Sequence, residues 1–336
     1  MKTLDFGVAL LTAAAMVALT VACSTAPDNV TLTSASAPEE PDITIAALPT
    51  ADLAGLYIAQ DDGYFAQQGL HVTIKKIASS AAIITDQLEG QVDISAGSYI
   101  PYISAQAAGA RFLILAEASN LLPDTRVLVT TDGSPVTTIA ALAGKKIGVN
   151  GTNSIGTLLI SALLTAHGIS PRTVHFVTDK QGFPAMPGQL RDGAWDAAFL
   201  AEPYVTVAGE EYGEKVLADL DQGTTVNFPI DGYVATQAWV KKHPKTAAAF
   251  VRAIKEGQAL ADSDRAAVEA AMGKSDHLPP RVTAAMALPD YPIGPVDKTS
   301  IQREADAMLQ FGFLGPQYAT VVSRGTLVES MITVGR

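Results

Sequence analysis

Residues 142–154 read LAGKKIGVNGTNS, the form of a short strand followed by a loop that contains glycine. The apolar residues that follow repeat at helical spacing as far as Ala166, which predicts a helix with Asn153 or Ser154 as its N-cap and Gly168 as its end. In a strand, loop and helix of this kind, the free N–H groups of the helix start face a ligand. The stretch therefore predicts an α/β fold with a helix N-terminus directed into a cleft.

Strands and helices alternate along the rest of the chain, which favours a mostly parallel sheet flanked by helices in each of two lobes. The strands predicted before this stretch are 43–46, 71–74, 92–95 and 112–116. Loops at the carboxyl ends of such strands converge on one crevice. About 300 residues remain after the amino-terminal segment, which exceeds the usual size of a single core. The pattern alone also allows two consecutive domains.

Three separated segments resemble one family of proteins. They are GYFAQQGL at 63–70, the stretch 142–154, and AEPY at 201–204. In this order they resemble the solute-binding proteins of nitrate, sulfonate, taurine and thiamine-precursor ABC importers. The resemblance covers the chain from position 41 to position 260.

The resemblance implies a type II periplasmic-binding-protein fold with a discontinuous first lobe. Lobe one would comprise residues 41–128 and 235–336, and lobe two would comprise residues 129–234. Two crossover strands would join the lobes, one at 127–129 and one at 233–235.

The amino terminus predicts an exported protein. Lys2 precedes an apolar stretch that ends at Ala22, and Cys23, the only cysteine in the chain, follows it. The pattern resembles a bacterial lipobox, although Thr20 stands where leucine is more usual. It predicts a signal peptide over residues 1–22 and lipid attachment at Cys23. Ordinary secretion and an uncleaved membrane anchor remain alternatives.

Residues 23–40 are small and polar with two prolines, a composition that cannot form a core, so we expect a flexible tether. No later segment of the sequence approaches the roughly 20 consecutive apolar residues of a membrane span. A lipid at Cys23 would hold the body on the extracytoplasmic face of the cell membrane; otherwise the protein would be free in the periplasm. We expect a monomer.

The composition argues against several other functions. The formal net charge of −11 disfavours binding to nucleic acid or to anionic lipid. The five histidines have no metal-binding spacing, and no phosphate-binding glycine motif is present. Enzymes of a related fold make the thiamine pyrimidine, but they carry a cysteine-rich motif that is missing from this sequence. We therefore expect neither an enzyme nor a cofactor.

The predicted ligand site draws on both lobes, combining aromatic walls with a few polar groups. The candidates are Thr50, Asp52, Tyr57, Ser98, Tyr99 and Asn120 from lobe one, and Thr152, Asn153, Ser154, Phe183, Glu202, Tyr204 and Asp231 from lobe two.

Each candidate also has a structural interpretation. Thr152, Asn153 and Ser154 could cap their helix instead of contacting ligand. Glu202 follows a predicted apolar strand and could bind ligand, close the lobes through a salt bridge, or interact with a helix dipole. The aromatic candidates could belong to the core or to the rim of the cleft.

The carboxylates give a clue to the charge of the ligand. Asp52, Glu202 and Asp231 all fall in predicted cleft loops, and buried carboxylates require a cation or several donors. This favours a ligand with an amine, an amidine or an N–H-rich ring, such as an aminosulfonate or a pyrimidine-like thiamine precursor. Helix N-termini could instead hold a sulfonate or nitrate, and Arg126 or Arg191 could reverse the preference.

Two functions remain on the sequence alone. In the first, the protein captures a small solute between its lobes and delivers it to an ABC permease driven by a cytosolic ATPase. In the second, the same fold is a surface sensor that works with a signalling partner. The proline-rich segment 276–295 could fold over the cleft or wrap lobe one.

Overall fold

The computed structural model describes residues 37–332. The strands are β1 (Asp42–Ala47), β2 (His71–Lys76), β3 (Ile94–Ser98), β4 (Phe112–Asn120), β5 (Arg126–Thr130), β6 (Lys146–Val149), β7 (His175–Thr178), β8 (Ala197–Ala201), β9 (Lys215–Asp219) and β10 (Pro229–Thr236). The helices are α1 (Ala54–Asp61), α2 (Tyr64–Gln67), α3 (Ile84–Leu88), α4 (Tyr99–Ala107), α5 (Ile155–Ala166), α6 (Met186–Arg191), α7 (Tyr204–Tyr212), α8 (Gln237–Lys242), α9 (Pro244–Ser263), α10 (Arg265–Asp276), α11 (Pro280–Ala285), α12 (Lys298–Gln310), α13 (Ala319–Ser323) and α14 (Thr326–Glu329).

The strands form two sheets. Sheet one has the order β2-β1-β3-β10-β4, and sheet two has the order β7-β6-β8-β5-β9. In sheet one only β10 runs against its neighbours, and in sheet two only β5 does. The expectation of two mostly parallel sheets flanked by helices is confirmed. We call sheet one with the helices packed on it lobe one, and sheet two with α5, α6 and α7 lobe two.

The chain changes sheets at two connections. Connection one is residues 121–125, between β4 and β5, and connection two is residues 220–228, between β9 and β10. The expected crossovers at 127–129 and 233–235 lie instead within β5 and β10, and the residues of both ranges pair inside one sheet. An apolar run predicts a strand but not the sheet that the strand joins. We propose lobe boundaries at the two connections.

Helix α9 covers one face of sheet one because its apolar residues repeat at helical spacing. Phe250 is fully buried and stacks on Phe65 with 5.8 Å between ring centroids. Glycines permit a close approach of α9 to α1, since a Cβ on Gly257 would lie 2.1 Å from the carbonyl oxygen of Gly55. The resulting layer fixes the loop after β1 at the edge of the cleft.

The first described residues are bound to lobe one. The Glu39 carboxylate accepts hydrogen bonds from the backbone N–H groups of Lys245 (2.9 Å) and Thr246 (3.0 Å) at the start of α9. Glu40 accepts a hydrogen bond from Trp239 Nε1 at 3.2 Å. Both glutamates were expected in the tether, so a flexible segment would end before Glu39. The predicted signal peptide and Cys23 lie outside the described residues.

Across residues 37–332, every helix is too short or too polar to serve as a membrane span.

Candidate functional site

A cavity of about 680 Å³ lies between the two lobes, within the size range of small-molecule sites. Loops after β1 and β2 and the segment after α10 form its lobe-one wall, and α7 with the loop before α6 forms its lobe-two wall. The lining residues are Pro49, Lys76, Ile77, Ala78, Gln181, Pro184, Tyr204, Val207, Glu211, Tyr212, Ser275, Asp276, His277, Leu278 and Pro279.

The lobes also touch each other directly. The Ala51 N–H donates to the carbonyl oxygen of Glu202 at 2.9 Å. Gly182 packs against Ala78 so closely that a Cβ would lie 2.9 Å from the Ala78 Cα, and its φ of 79° favours glycine. The structure therefore has the two lobes in contact.

An ion cluster joins β5 of lobe two to lobe one. Arg126 is 1% exposed, and its Nη2 lies 2.9 Å from Asp52 Oδ2 and 2.9 Å from Asp231 Oδ2. Ser119 donates to the other Asp52 oxygen at 3.0 Å. Two predicted ligand carboxylates thus share a cation that belongs to the protein.

This cluster holds more carboxyl groups than cations. Burial raises the pKa of Asp231, the charge of Arg126 opposes this increase, and Asp52 adds to it. Glu304 on α12 is fully buried nearby, and neither of its carboxyl oxygens has a hydrogen-bond partner among the described residues. Burial raises the pKa of Glu304 well above its usual range, and Asp231 adds to that increase.

Glu202 makes a second buried carboxylate site, and it has no ion pair within residues 37–332. Its oxygens accept hydrogen bonds from Thr206 N (3.1 Å), Thr206 Oγ1 (2.9 Å) and the Ala287 N–H (3.0 Å). Burial raises the pKa of Glu202 to about 7 although these three donors oppose the increase. The carboxylate therefore links the start of α7 in lobe two to the segment that follows α11.

Of the aromatic candidates, Tyr204 lines the cleft cavity, whereas Tyr57, Tyr99 and Phe183 are buried and are not among its lining residues. Phe183 stacks on Tyr204 with 6.4 Å between centroids and 9° between planes, and Tyr204 lines the cavity. The Tyr57 hydroxyl donates to the Leu48 carbonyl at 3.2 Å. Burial raises the pKa values of Tyr57 and Tyr204, and the charge of Asp276 raises both further.

Four lobe-one candidates occupy different surroundings. Ser98 caps α4 by accepting from Ile100 N at 3.4 Å. Thr50 and Tyr99 are fully buried, and their hydroxyls have no hydrogen-bond partner in the described part of the chain. Asn120 lies apart from the cleft cavity and lines a second cavity beside the connections.

The predicted helix after the 142–154 stretch is confirmed as α5, with Ser154 as its N-cap. Ser154 Oγ donates to the Gly151 carbonyl at 2.6 Å, and Thr157 Oγ1 donates to the Thr152 carbonyl at 3.1 Å. Asn153 Nδ2 donates across the lobes to Ser104 Oγ at 3.4 Å. Thr152, Asn153 and Ser154 therefore have local structural roles. Their contact with a ligand stays a prediction.

The segment after α10 contacts both lobes. Arg281 Nη2 lies 3.2 Å from Glu211 Oε1 on α7, and the Ala287 N–H reaches Glu202. The Tyr291 hydroxyl donates to the Ala51 carbonyl at 2.8 Å in lobe one. The segment both wraps lobe one and borders the cleft, so the two alternatives from the sequence are not exclusive.

The sequence did not predict the partners of the buried carboxylates. Arg126 is the only charged residue of the strand RVLVT and stands at its first position. A charged residue in a strand of this kind indicates a buried ion pair. Thr206 and Ala287 carry no such signal, because one is a common helix-start residue and the other contributes only its backbone. Within residues 37–332, no group of three or more His, Cys, Asp or Glu side chains is placed to hold a metal ion.

Comparison with known proteins gives consistent matches. The model of the family described as NMT1/THI5 like matches residues 50–266. A curated Escherichia coli (strain K12) protein, named for binding aliphatic sulfonates, is 30% identical over 199 residues, 58% of this chain and 59% of that protein. The 4-amino-5-hydroxymethyl-2-methylpyrimidine phosphate synthase of Uromyces fabae is 25% identical over 215 residues, 60% of this chain and 61% of that enzyme. The chain thus spans about three fifths of the length of both curated relatives.

A solved structure agrees over most of the fold. The alkanesulfonate-binding protein SsuA from Xanthomonas axonopodis pv. citri, bound to MOPS, superposes with a TM-score of 0.73 at 18% identity. The match covers 88% of this chain and 99% of that structure.

Proposed function

This chain belongs to the NMT1/THI5 like family, and from that premise we propose that it is the extracytoplasmic solute-binding component of an ABC importer. The observation that carries the proposal is the 680 Å³ cavity, whose walls come from both lobes. A ligand held by both walls makes more contacts when the lobes are together, so binding shifts the population towards the closed form. The closed form would deliver the solute to a permease driven by a cytosolic ATPase.

The proposed ligand class is an alkylsulfonate. The buried carboxylates do not require a cationic ligand, because Arg126 pairs with both Asp52 and Asp231 and neutral donors bind Glu202. The cavity lining includes Tyr204, Tyr212 and apolar residues, together with Lys76, whose ammonium lies 2.6 Å from Asp276 Oδ1. An anionic head on a short chain would bind here by sharing the Lys76 ammonium with Asp276. The sulfonate relatives, one of them bound to MOPS, support this class.

The proposal excludes a synthase activity for this chain. One curated relative is a pyrimidine phosphate synthase. The chain has a single cysteine, Cys23, and it precedes the described body. The test is whether the purified protein forms 4-amino-5-hydroxymethyl-2-methylpyrimidine phosphate, the product for which that enzyme is named, and we expect none.

A ligand screen by thermal shift and calorimetry tests the function. The panel is alkylsulfonates, taurine, nitrate, thiamine, its pyrimidine precursors, riboflavin and polyamines, applied to the mature protein. A ligand that binds only the folded state raises the melting temperature with concentration, and we expect this for alkylsulfonates. A saturable rise in melting temperature with only a pyrimidine or a polyamine would show that the ligand is not an alkylsulfonate. No rise with any compound of the panel would favour the sensor function.

A matched pair of lysines locates the binding. Lys76 lines the cavity, whereas its neighbour Lys75 is exposed on β2 and is not among the lining residues. Lys76→Met should weaken alkylsulfonate binding by about tenfold, the size of one charge-assisted hydrogen bond, and Lys75→Met should leave it unchanged. Equal effects of the two changes would move the ligand away from this cavity.

We also propose that Cys23 carries the lipid that holds the body on the membrane. Cys23→Ser should move the protein from the membrane fraction to the soluble fraction. Continued retention would indicate an uncleaved anchor.

A further inference from the structure

A second cavity, of about 390 Å³, lies beside both connections between the lobes. Asn120 stands at the end of β4, directly before connection one, and Asn227 belongs to connection two. Residues 292–297 and the first turn of α12 close the remaining sides. This hinge cavity shares no lining residue with the cleft cavity.

Two acceptor atoms at the hinge cavity, one of them fully buried, have no donor among residues 37–332. Glu117 is 5% exposed, and one of its oxygens accepts from the Asp297 N–H, while the other receives no hydrogen bond from residues 37–332. The side-chain amide of Asn120 donates from Nδ2 to Asp290 Oδ2 at 2.7 Å. Its Oδ1 is buried and has no hydrogen-bond partner among residues 37–332. Buried acceptors left without donors are costly, so an occupant that donates here would be stabilised.

The charge around the hinge cavity is negative. Burial raises the pKa of Glu117, and Asp297 and Asp290 raise it further. The nearby cation, Arg303, donates to the carbonyls of Val226 (2.9 Å) and Asn227 (3.0 Å) in connection two. The guanidinium also lies 5.4 Å from the Phe228 ring centroid, so it is engaged by the connection and not by Glu117.

We propose that the hinge cavity binds a small organic cation, a primary ammonium on a short apolar chain. Its N–H groups would donate to the free oxygen of Glu117 and to Asn120 Oδ1, and its chain would lie against Pro292, Ile293 and Pro295. A bare metal ion fits less well, because no group of three acidic or histidine ligands that could hold one occurs in residues 37–332.

Binding at this cavity would act on closure. An occupant would contact Asn227 of connection two and Asn120, the residue directly before connection one, so it would stabilise whichever lobe arrangement gives it the better contacts. This regulatory consequence rests on the proposed function, whereas cation binding itself does not.

Calorimetric titration of the mature protein with n-butylammonium tests the inference. We expect saturable binding, with tetramethylammonium, which lacks N–H donors, and neutral 1-butanol at least tenfold weaker. Glu117→Gln keeps the acceptor for Asp297 but removes the charge, and it should weaken n-butylammonium binding at least tenfold. Glu256→Gln, at an exposed position on α9, is the matched control and should have no effect.

A second variant covers the case in which Glu117→Gln fails to fold. Ile293 is 53% exposed at the cavity, so Ile293→Trp should fold normally and obstruct the cavity. Loss of binding in Ile293→Trp supports the site. Absence of binding in the unmodified protein, equal binding of tetramethylammonium, or binding that neither variant weakens would each overturn the proposal. None of these outcomes bears on alkylsulfonate capture, which is measured separately.

Discussion

The Arg126 cluster and the Glu202 site both bury carboxylates where the lobes meet, but they satisfy them differently. In the cluster, one guanidinium serves Asp52 and Asp231. At the other site, Glu202 receives three hydrogen bonds from neutral donors and no ion pair within the described residues. A buried acid at a cleft is therefore not sufficient evidence for a cationic ligand.

The two arrangements also differ in what their loss would cost. Removal of the Arg126 guanidinium leaves two carboxylates buried without a cation. Replacement of Glu202 by glutamine removes the charge, but the amide oxygen of the glutamine can still accept hydrogen bonds from the neutral donors. Loss of the charge should therefore cost more at the Arg126 cluster than at Glu202. Burial raises a carboxyl pKa in both places, that of Glu202 to about 7 and that of Asp231 above its usual range.

The largest expected effect is on stability at the Arg126 cluster. Arg126→Met should lower the free energy of unfolding by about 3–5 kcal/mol at pH 7, because two buried carboxylates lose their cation. The measurement is urea denaturation. The triple variant Asp52→Asn, Arg126→Met, Asp231→Asn should recover most of the loss, and a loss below about 1 kcal/mol in the single variant would show that the pair is not needed.

The next effect is a pH dependence at Glu202. Its pKa rises from 4.5 to about 7 on folding, so the native state binds more protons than the unfolded state between these values. Stability from this group is complete below pH 4.5 and is lost as the pH rises towards 7, by about 1–3 kcal/mol. Glu202→Gln should flatten this part of the curve, measured by urea denaturation at intervals from pH 4.5 to 8.

Asp231 contributes a slope of the same sign, because its pKa is also raised by burial. The Glu202→Gln curve should therefore be flatter than that of the unmodified protein without becoming level. Parallel curves for the two proteins would contradict the assignment to Glu202.

The smallest effect is expected at a single neutral donor. Thr206→Val removes the Oγ1 hydrogen bond to Glu202 but keeps the backbone donor, and should cost about 1 kcal/mol or less. It should also raise the pKa of Glu202 further, measured by carboxyl NMR titration. Thr73→Val, at an exposed position of β2, is the control, and an unchanged Glu202 titration in Thr206→Val would remove Thr206 from the site.

Local sequence pattern predicted much of the fold. The strand, loop and helix at 142–154 are confirmed as β6 and α5, and the family indicated by residues 63–70 and 201–204 is confirmed with its periplasmic-binding-protein fold. These features depend on spacing and capping within a few residues, which a single sequence contains.

The partners of the site residues could not be predicted in the same way. Arg126 and Asp231 are 105 positions apart, and Glu202 and Ala287 are 85 positions apart. No periodicity connects residues at such separations, and only the packing of the lobes brings them together. The sequence identified the buried acids correctly as unusual but attributed their neutralisation to the ligand.

The position of β10 has a consequence for how the chain folds. Sheet two can assemble from one continuous stretch, residues 126–219, whereas sheet one needs β10 to fill the place between β3 and β4. Until residues 229–236 are synthesised, β3 and β4 share no partner and their edges are open to pairing with other chains. Strands β3 and β4 are therefore made before sheet two but completed after it, and the nascent chain depends on slow, long-range pairing to complete them.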